Sequence, residues 1–523
     1  MSNTILRAVN KGKGSKVKLE GRYINLEAER NTYLSKAQDY ARLTLPNVFP
    51  SETSGSTESQ HGFSSLGAKV VNHLVNKMVQ TLFPSHMPFF KLDFSDEGRN
   101  ALAAQKIDPT TLKEVLAVAT DKATKLIGSK ASRIAFIEAL KQLIIGGNSL
   151  LYAPKGRKTL AIPLDNYVVE RDTQGDFIEI ITKQTKHLHT FPEELQPAIE
   201  QALKAKGSKA KQGEQQEVDL FTWIYRTSED EFVVAQTAMD ILLLDKQIVK
   251  ADELPWIPLT WNLAYGRDYG NGLVEDYSGD FYATEFLREA LAKGLVLMAD
   301  VKYMLKAGSI TRPEDIFNTP TGEVITGNID DVGVLQLEKH ANYEFISVVL
   351  DDYGKSISDG FLMGSASRRQ GERVTAYEIS LDARELEGAF GGQYSMFGET
   401  WQKPFARTII SEVGLKLPKT TFEPEILTGL DALARAGDLE LIRQYTEALQ
   451  FPATWPEQIQ QITNFEIYSR EVASSLGLKQ PWILSEEEQQ AKAEAQKQAA
   501  TEAQATEQAT KAIPKVIENQ VGG

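Results

Sequence analysis

The chain has 523 residues, 42% of them hydrophobic and 24% charged, with a formal net charge of −14. That length can bury a large core and form more than one compact unit, and no apolar run approaches the ~20 residues needed to cross a bilayer. The absence of cysteine excludes disulfides, thiolate zinc sites and cysteine nucleophiles, while the acidic balance argues against tight, static binding to a polyanion.

Residues 1–18 carry Arg7, Lys11, Lys13, Lys16 and Lys18 and no acid. No apolar h-region follows, so no secretory signal is expected. A helical pattern runs from Tyr23 to Tyr40 and stops before Pro46, and the polar residues 51–60 read as a loop. Leu66, Val70, Val71, Leu74, Val75, Met78, Val79 and Leu82 then fall in one stripe of an amphipathic helix ended by Pro84. A second such helix spans about Thr111–Ile127. A third starts with Ser132 as its expected N-cap and stops at Gly146-Gly147.

The texture changes after Gly147. Ser149–Ala153, Tyr167–Glu170, Phe177–Lys183, Val218–Arg226 and Phe232–Val234 are rich in β-branched and aromatic residues and predict strands. Helices followed by a block of strands suggest an α+β domain. The Lys/Gly/Gln-rich stretch Lys204–Glu217 reads as an exposed excursion. Beyond it the chain is mainly helical. Helices of about twenty residues, each ~30 Å long, are expected at about Gly279–Ala299 and Tyr343–Met363. They flank a short mixed piece with strand signals at Glu323–Thr326 and Val334–Glu338, which together make a helical hairpin with a small tip. A helical pattern resumes at Glu372, breaks at Gly391-Gly392, and returns from Gly429 to about Leu476. Residues 485–512 hold nine Ala, six Glu, six Gln and three Lys without a sustained apolar stripe. They read as a solvated helix or a disordered tail.

Searches for chemistry find little. Gly12–Lys16 lacks the Walker A spacing, and Gly266–Gly272 is not G-x-G-x-x-G and opens no βαβ unit, so no nucleotide site is expected at either. His187 and His189 are neighbours without a third ligand in view, so neither a metal nor any cofactor is expected. The acid pairs Asp330-Asp331 and Asp351-Asp352 suit a solvated surface, and nothing opposes them across a cleft. The most unusual local feature is Gly364–Arg373, a Gly-bounded loop with three arginines, Arg368, Arg369 and Arg373, and one acid. It can meet a polyanion. It can equally be a plain interhelical connection whose arginines cap helices or pair with carboxylates.

Several blocks, in the same order, carry a family likeness from about residue 23 to residue 490. They are Gly67–Lys69 through Leu82–Pro84, Glu138–Leu143 with Gly147-Asn148, Tyr167–Asp172, Leu335–Lys339, Gly371–Ala376, Glu385–Glu387 with Gly391–Ser395, and Thr428–Leu430. In these the chain resembles the head-to-tail connector, or portal, proteins of podoviruses that encode their own RNA polymerase. The resemblance implies an α+β, mainly helical portal fold that assembles into a ring, usually of twelve subunits. It divides the chain into a basic arm (1–22), a wing (23–277 and 377–425), stem helices (278–300 and 342–363), a clip (301–341), a tunnel loop (364–376), a crown (426–490) and a low-complexity tail (491–523). It implies that Arg368, Arg369 and Arg373 face a channel for double-stranded DNA. It also implies partners: further copies of the chain, a terminase packaging motor, tail or adaptor proteins, the major capsid protein and internal core or scaffold proteins, with no membrane. The ring would be assembled in the host bacterial cytoplasm and seated at the virion's portal vertex, with no catalytic activity. Acidic walls would keep a duplex from sticking to such a channel. The alternatives are a helical virion scaffold or adaptor that touches only protein, and a hydrolase with a cleft drawn from residues 150–260.

Overall fold

The computed structural model describes residues 19–50, 62–84, 88–95, 98, 109–205, 216–228, 230–299, 302–310, 312–320, 322–324, 327–335, 340–364, 376–414, 422–428, 441–450 and 464–477. The chain divides into two compact units, one through Ala432 and one from Leu433. The fold is α+β and mainly helical.

The first unit is built around α2 (Leu66–Leu82), whose predicted stripe is buried: Val70, Val71, Leu74, Val75, Met78, Val79 and Leu82 are all at most 1% exposed. Each such side chain contributes roughly 1.5–3 kcal/mol of hydrophobic free energy. Against its C-terminal end lies an aromatic cluster. Phe83 stacks on Phe136 of α4 (Ser132–Gly146) at 4.1 Å, and Phe136 meets Trp401 and Phe405 edge-on at 5.6 and 5.0 Å. Such edge-to-face and offset pairs suit the ring quadrupoles. Trp401 belongs to a π-helical turn, Gly398–Gln402. The wider turn aims Gln402 at the end of α2, where its Nε2 donates to the Leu82 carbonyl at 2.6 Å and to Thr428 Oγ1 at 2.8 Å. Thr428 Oγ1 donates to the same carbonyl at 2.9 Å, so a helix-end acceptor with no intrahelical partner is satisfied.

Two sheets flank this core. One has the order β3 (Leu160–Ile162), β2 (Asn148–Tyr152), β9 (Trp256–Thr260). The other is an antiparallel meander of β4 (Tyr167–Arg171), β5 (Phe177–His187), β6 (Glu217–Arg226), β7 (Glu231–Ala238) and β8 (Ile241–Lys250). Helix α1 (Leu19–Leu43) begins four residues before the expected Tyr23, because Leu19 and Tyr23 both pack on Val168, Ile181 and Phe221 of the meander. The meander's first edge is sealed: Val169 N donates to Tyr269 Oη at 3.1 Å and Arg171 N to Asp268 Oδ1 at 2.7 Å. Its last strand is largely exposed and joins β7 through register shifts, a common way to blunt an edge.

Three sequence expectations change in detail. Ser132 is the first helical residue, not the N-cap; Ala131 occupies that place at φ 52°, and the Ser132 hydroxyl instead meets Thr159 Oγ1 at 3.0 Å. Residues Glu323 and Val324 are not in a strand; the ladder forms between β10 (Lys302–Leu305) and β11 (Val332–Leu335). A two-stranded ladder also joins β1 (Phe90–Phe94) to β12 (Phe422–Ile426), segments for which the sequence pattern predicted no pairing. In the second unit the described residues form helices at 441–450 and Phe465–Ser475, with Tyr468 Oη donating to the Ala448 carbonyl at 3.1 Å.

Candidate functional site

The first unit carries a helical hairpin. With α3 at Pro109–Ser129, α5 at Gln196–Ala205 and the single turn α6 at Leu273–Asp276, its first arm is α7 (Ser278–Ala299). The β10–β11 ladder and the short α8 (Pro313–Asn318) lie at the far end, and the return arm is α9 (His340–Gly360). The arms are antiparallel. At their base Ser356 Oγ donates to Asp280 Oδ2 at 2.8 Å, and the Phe361 ring meets those of Phe281 and Tyr277 at 5.8 and 5.6 Å. Gly360 is required there: a Cβ would stand 2.3 Å from Cζ of Tyr277.

The return arm ends in an unusual conformation. Leu362 adopts φ 56°, a left-handed backbone normally left to glycine, and Met363 N closes the helix end on the Ser358 carbonyl at 2.8 Å. The Leu362 carbonyl then accepts from the His73 ring at 3.2 Å. One helical turn along α2, Lys77 is buried and donates to Glu385 Oε2 at 2.7 Å, with Asp382 Oδ1 at 3.6 Å. Asp382 and Glu385 lie on α10 (Ala376–Phe390). His73 and Lys77 are four residues apart on one helix face. One holds the end of the return arm and the other the helix that follows the arginine loop. Arg368, Arg369 and Arg373 themselves lie outside the described residues. Sequence reasoning missed His73 and Lys77; their signal was two ionisable residues one turn apart beside an apolar helix stripe.

A pocket of about 270 Å³ opens beside this junction, lined in part by Trp261, Tyr277, Asp276, Asp359 and Phe390. Burial, and then the neighbouring Glu275 charge, hold the Asp276 carboxyl above the usual carboxylate range.

The arms leave large apolar side chains in solvent. Phe286, Leu295 and Val296 on α7 and Phe345 and Val348 on α9 are 52–70% exposed. Met304, Ile310, Val324 and Ile329 at the far end are more than half exposed. A run of such groups along one projection marks a surface that another macromolecule covers.

The remaining candidates have plain structural roles. The Gly266–Gly272 segment is clamped by Asn148, whose Nδ2 donates to the Gly270 carbonyl at 2.7 Å and whose Oδ1 accepts from Gly270 N at 2.8 Å. His187 and His189 stack in parallel at 5.6 Å. Among the described residues no three His, Asp or Glu side chains gather as a metal site would require. No described helix is long and apolar enough to cross a membrane.

Comparison with known proteins gives a consistent result. The family profile described as "Bacteriophage head to tail connecting protein" matches residues 16–484. A portal protein of Enterobacteria phage SP6 is 38% identical over 508 residues, covering 97% of this chain and 98% of that one. A portal protein of Escherichia phage T7 is 30% identical over 488 residues, covering 91% and 89%. A portal protein of Pseudomonas phage phiKMV is 31% identical over 417 residues, covering 77% and 80%.

Proposed function

Because the chain belongs to the bacteriophage head to tail connecting protein family, we propose that it acts as one subunit of the portal ring, the channel through which the double-stranded genome enters and leaves the capsid. Its place is in the virion, at the portal vertex, where copies assemble into a ring that meets capsid and tail. The observation that carries the reading is the collinear match with portal proteins along nearly the whole chain. The rival reading of a scaffold or adaptor without a channel is not favoured.

The finer assignments are part of the proposal. The ring has twelve subunits, and the hairpin arms are its stem. The β10–β11 ladder belongs to the clip that faces the tail, and residues 23–277 with 377–425 form the wing. Arg368, Arg369 and Arg373 lie on the tunnel loop. A terminase motor, tail or adaptor proteins and internal core or scaffold proteins dock on this frame, and the chain itself catalyses nothing.

The electrostatics fit a sliding channel. Each copy adds a net charge of −14, facing a duplex with about one negative charge per ~1.7 Å. Repulsion keeps the duplex centred, while one level of arginines offers weak phosphate contacts that are blind to sequence. His73 and Lys77 hold the two helices that flank that loop in sequence, so both of those helices are anchored on the buried helix of the core. The test is sedimentation of the purified protein alone and with duplex DNA. Closed oligomers support the reading, and a monomer at all concentrations overturns it.

A further inference from the structure

A ring closes only if each copy carries two different patches that fit one another, since head-to-tail contacts are heterologous. The patches must also stand at equal height along the ring axis. The hairpin has such a pair.

The first patch is a shallow groove of about 470 Å³ lined by Phe63, Ala292, Lys293 and Val296, with almost wholly apolar walls. Glu285 builds it by binding the start of α2 to α7: its carboxylate accepts from Phe63 N at 2.6 Å and Ser64 N at 3.0 Å. A Cβ at Gly354 of α9 would stand 3.9 Å from Leu66 Cδ2, so the start of α2 lies across one face of the hairpin. The second patch is Phe345, 70% exposed on α9. At 3.6 residues per turn Phe345 lies about 180° around α9 from Gly354, which faces Leu66, and about 20° from Ser356, so it turns away from the start of α2 that lines the groove.

Heights agree as well. Counting from the Asp280–Ser356 contact at 1.5 Å per residue, Ala292 and Val296 stand about 18 and 24 Å along the hairpin and Phe345 about 17 Å. A helical side chain leans toward its own N-terminus, which carries the Phe345 ring further along, into the range of the groove. Charge agrees too. Arg288, one turn before Ala292 on the groove side, has no ion pair among the described residues. Asp352, two turns from Phe345 on the same side of α9, meets Lys355 at 4.0 Å in an exposed pair that leaves its carboxylate open to a second cation.

We propose that in the assembled ring Phe345 of one copy seats in the Phe63–Ala292–Val296 groove of the next, with Arg288 facing the second copy's Asp352. This rests on the ring reading above and names the contact that closes it. A buried aromatic in a pocket is the usual form of an interface anchor.

Because the chain has no cysteine, the contact can be trapped directly. Phe345→Cys with Ala292→Cys, oxidised after assembly, is expected to give a ladder of covalent multimers ending at the full ring, while either cysteine alone gives no ladder. In parallel, Phe345→Asp is expected to shift the protein from ring to monomer, and Phe345→Leu to keep the ring. Rings that form with Asp at position 345, or rings of the paired-cysteine protein that oxidation leaves unlinked, overturn the contact while leaving the portal reading intact. A wild-type protein that forms no ring removes both.

Discussion

Replacing Lys77 with methionine tests whether α2 anchors the helix that follows the arginine loop. The ammonium is 8% exposed and serves two carboxylates, Glu385 at 2.7 Å and Asp382 at 3.6 Å, which are 27% and 28% exposed. Removing one partner of a fully buried pair costs 3–5 kcal/mol, but these acids are partly solvated, so the expected cost is about 2 kcal/mol. Methionine keeps the length and apolar stem of the side chain, which isolates the charge. The assay is thermal unfolding of the ring-forming protein, followed by in vitro packaging. Lys77→Met should lower the melting temperature and reduce packaging. Adding Asp382→Asn and Glu385→Gln should recover most of the loss, because no charge is then left stranded. A triple variant no more stable than the single one would refute the reasoning.

Further predictions follow from the same geometry. Changing Arg368, Arg369 and Arg373 together to alanine should leave rings intact in sedimentation and impair DNA packaging or genome retention in assembled particles; unchanged packaging removes the assigned role. Asp276→Asn should raise stability at neutral pH, measured by chemical denaturation. The folded carboxyl titrates above its ordinary value, so its contribution is present in acid and lost as pH rises through that value, and the variant's gain should shrink toward acid pH. Gly147→Ala should cost well over 1 kcal/mol in the same assay, because Gly147 sits at φ 76° and a Cβ there would stand 2.4 Å from the Gly270 carbonyl oxygen. Gly156 also has a positive φ but opens on empty space, and its alanine variant should cost less.

What the sequence made legible was local periodicity. The α2 stripe, the first four strands of the meander and the Gly147 helix stop all depend on neighbours within a few turns, and each stands where its pattern put it. What stayed hidden depends on distant partners. β1 pairs with β12 across more than three hundred residues, and β12 contains Pro424, which reads against a strand until its edge position is known. β8 was missed because its alternation is broken by four consecutive exposed residues, Asp245–Ile248. At the site, the arginines stood out by composition, whereas His73 and Lys77 owe their role to a carbonyl and two carboxylates about three hundred residues away. The hairpin was readable from helix lengths, but which of its apolar groups stay in solvent is set by the start of α2 laid across one face.

Electron microscopy of the purified full-length protein tests the central claim most directly. The expected images are closed rings with a continuous axial hole wide enough for duplex DNA, walled by the two long helices of each copy. Single copies, or rings whose centre is filled by those helices, would contradict it.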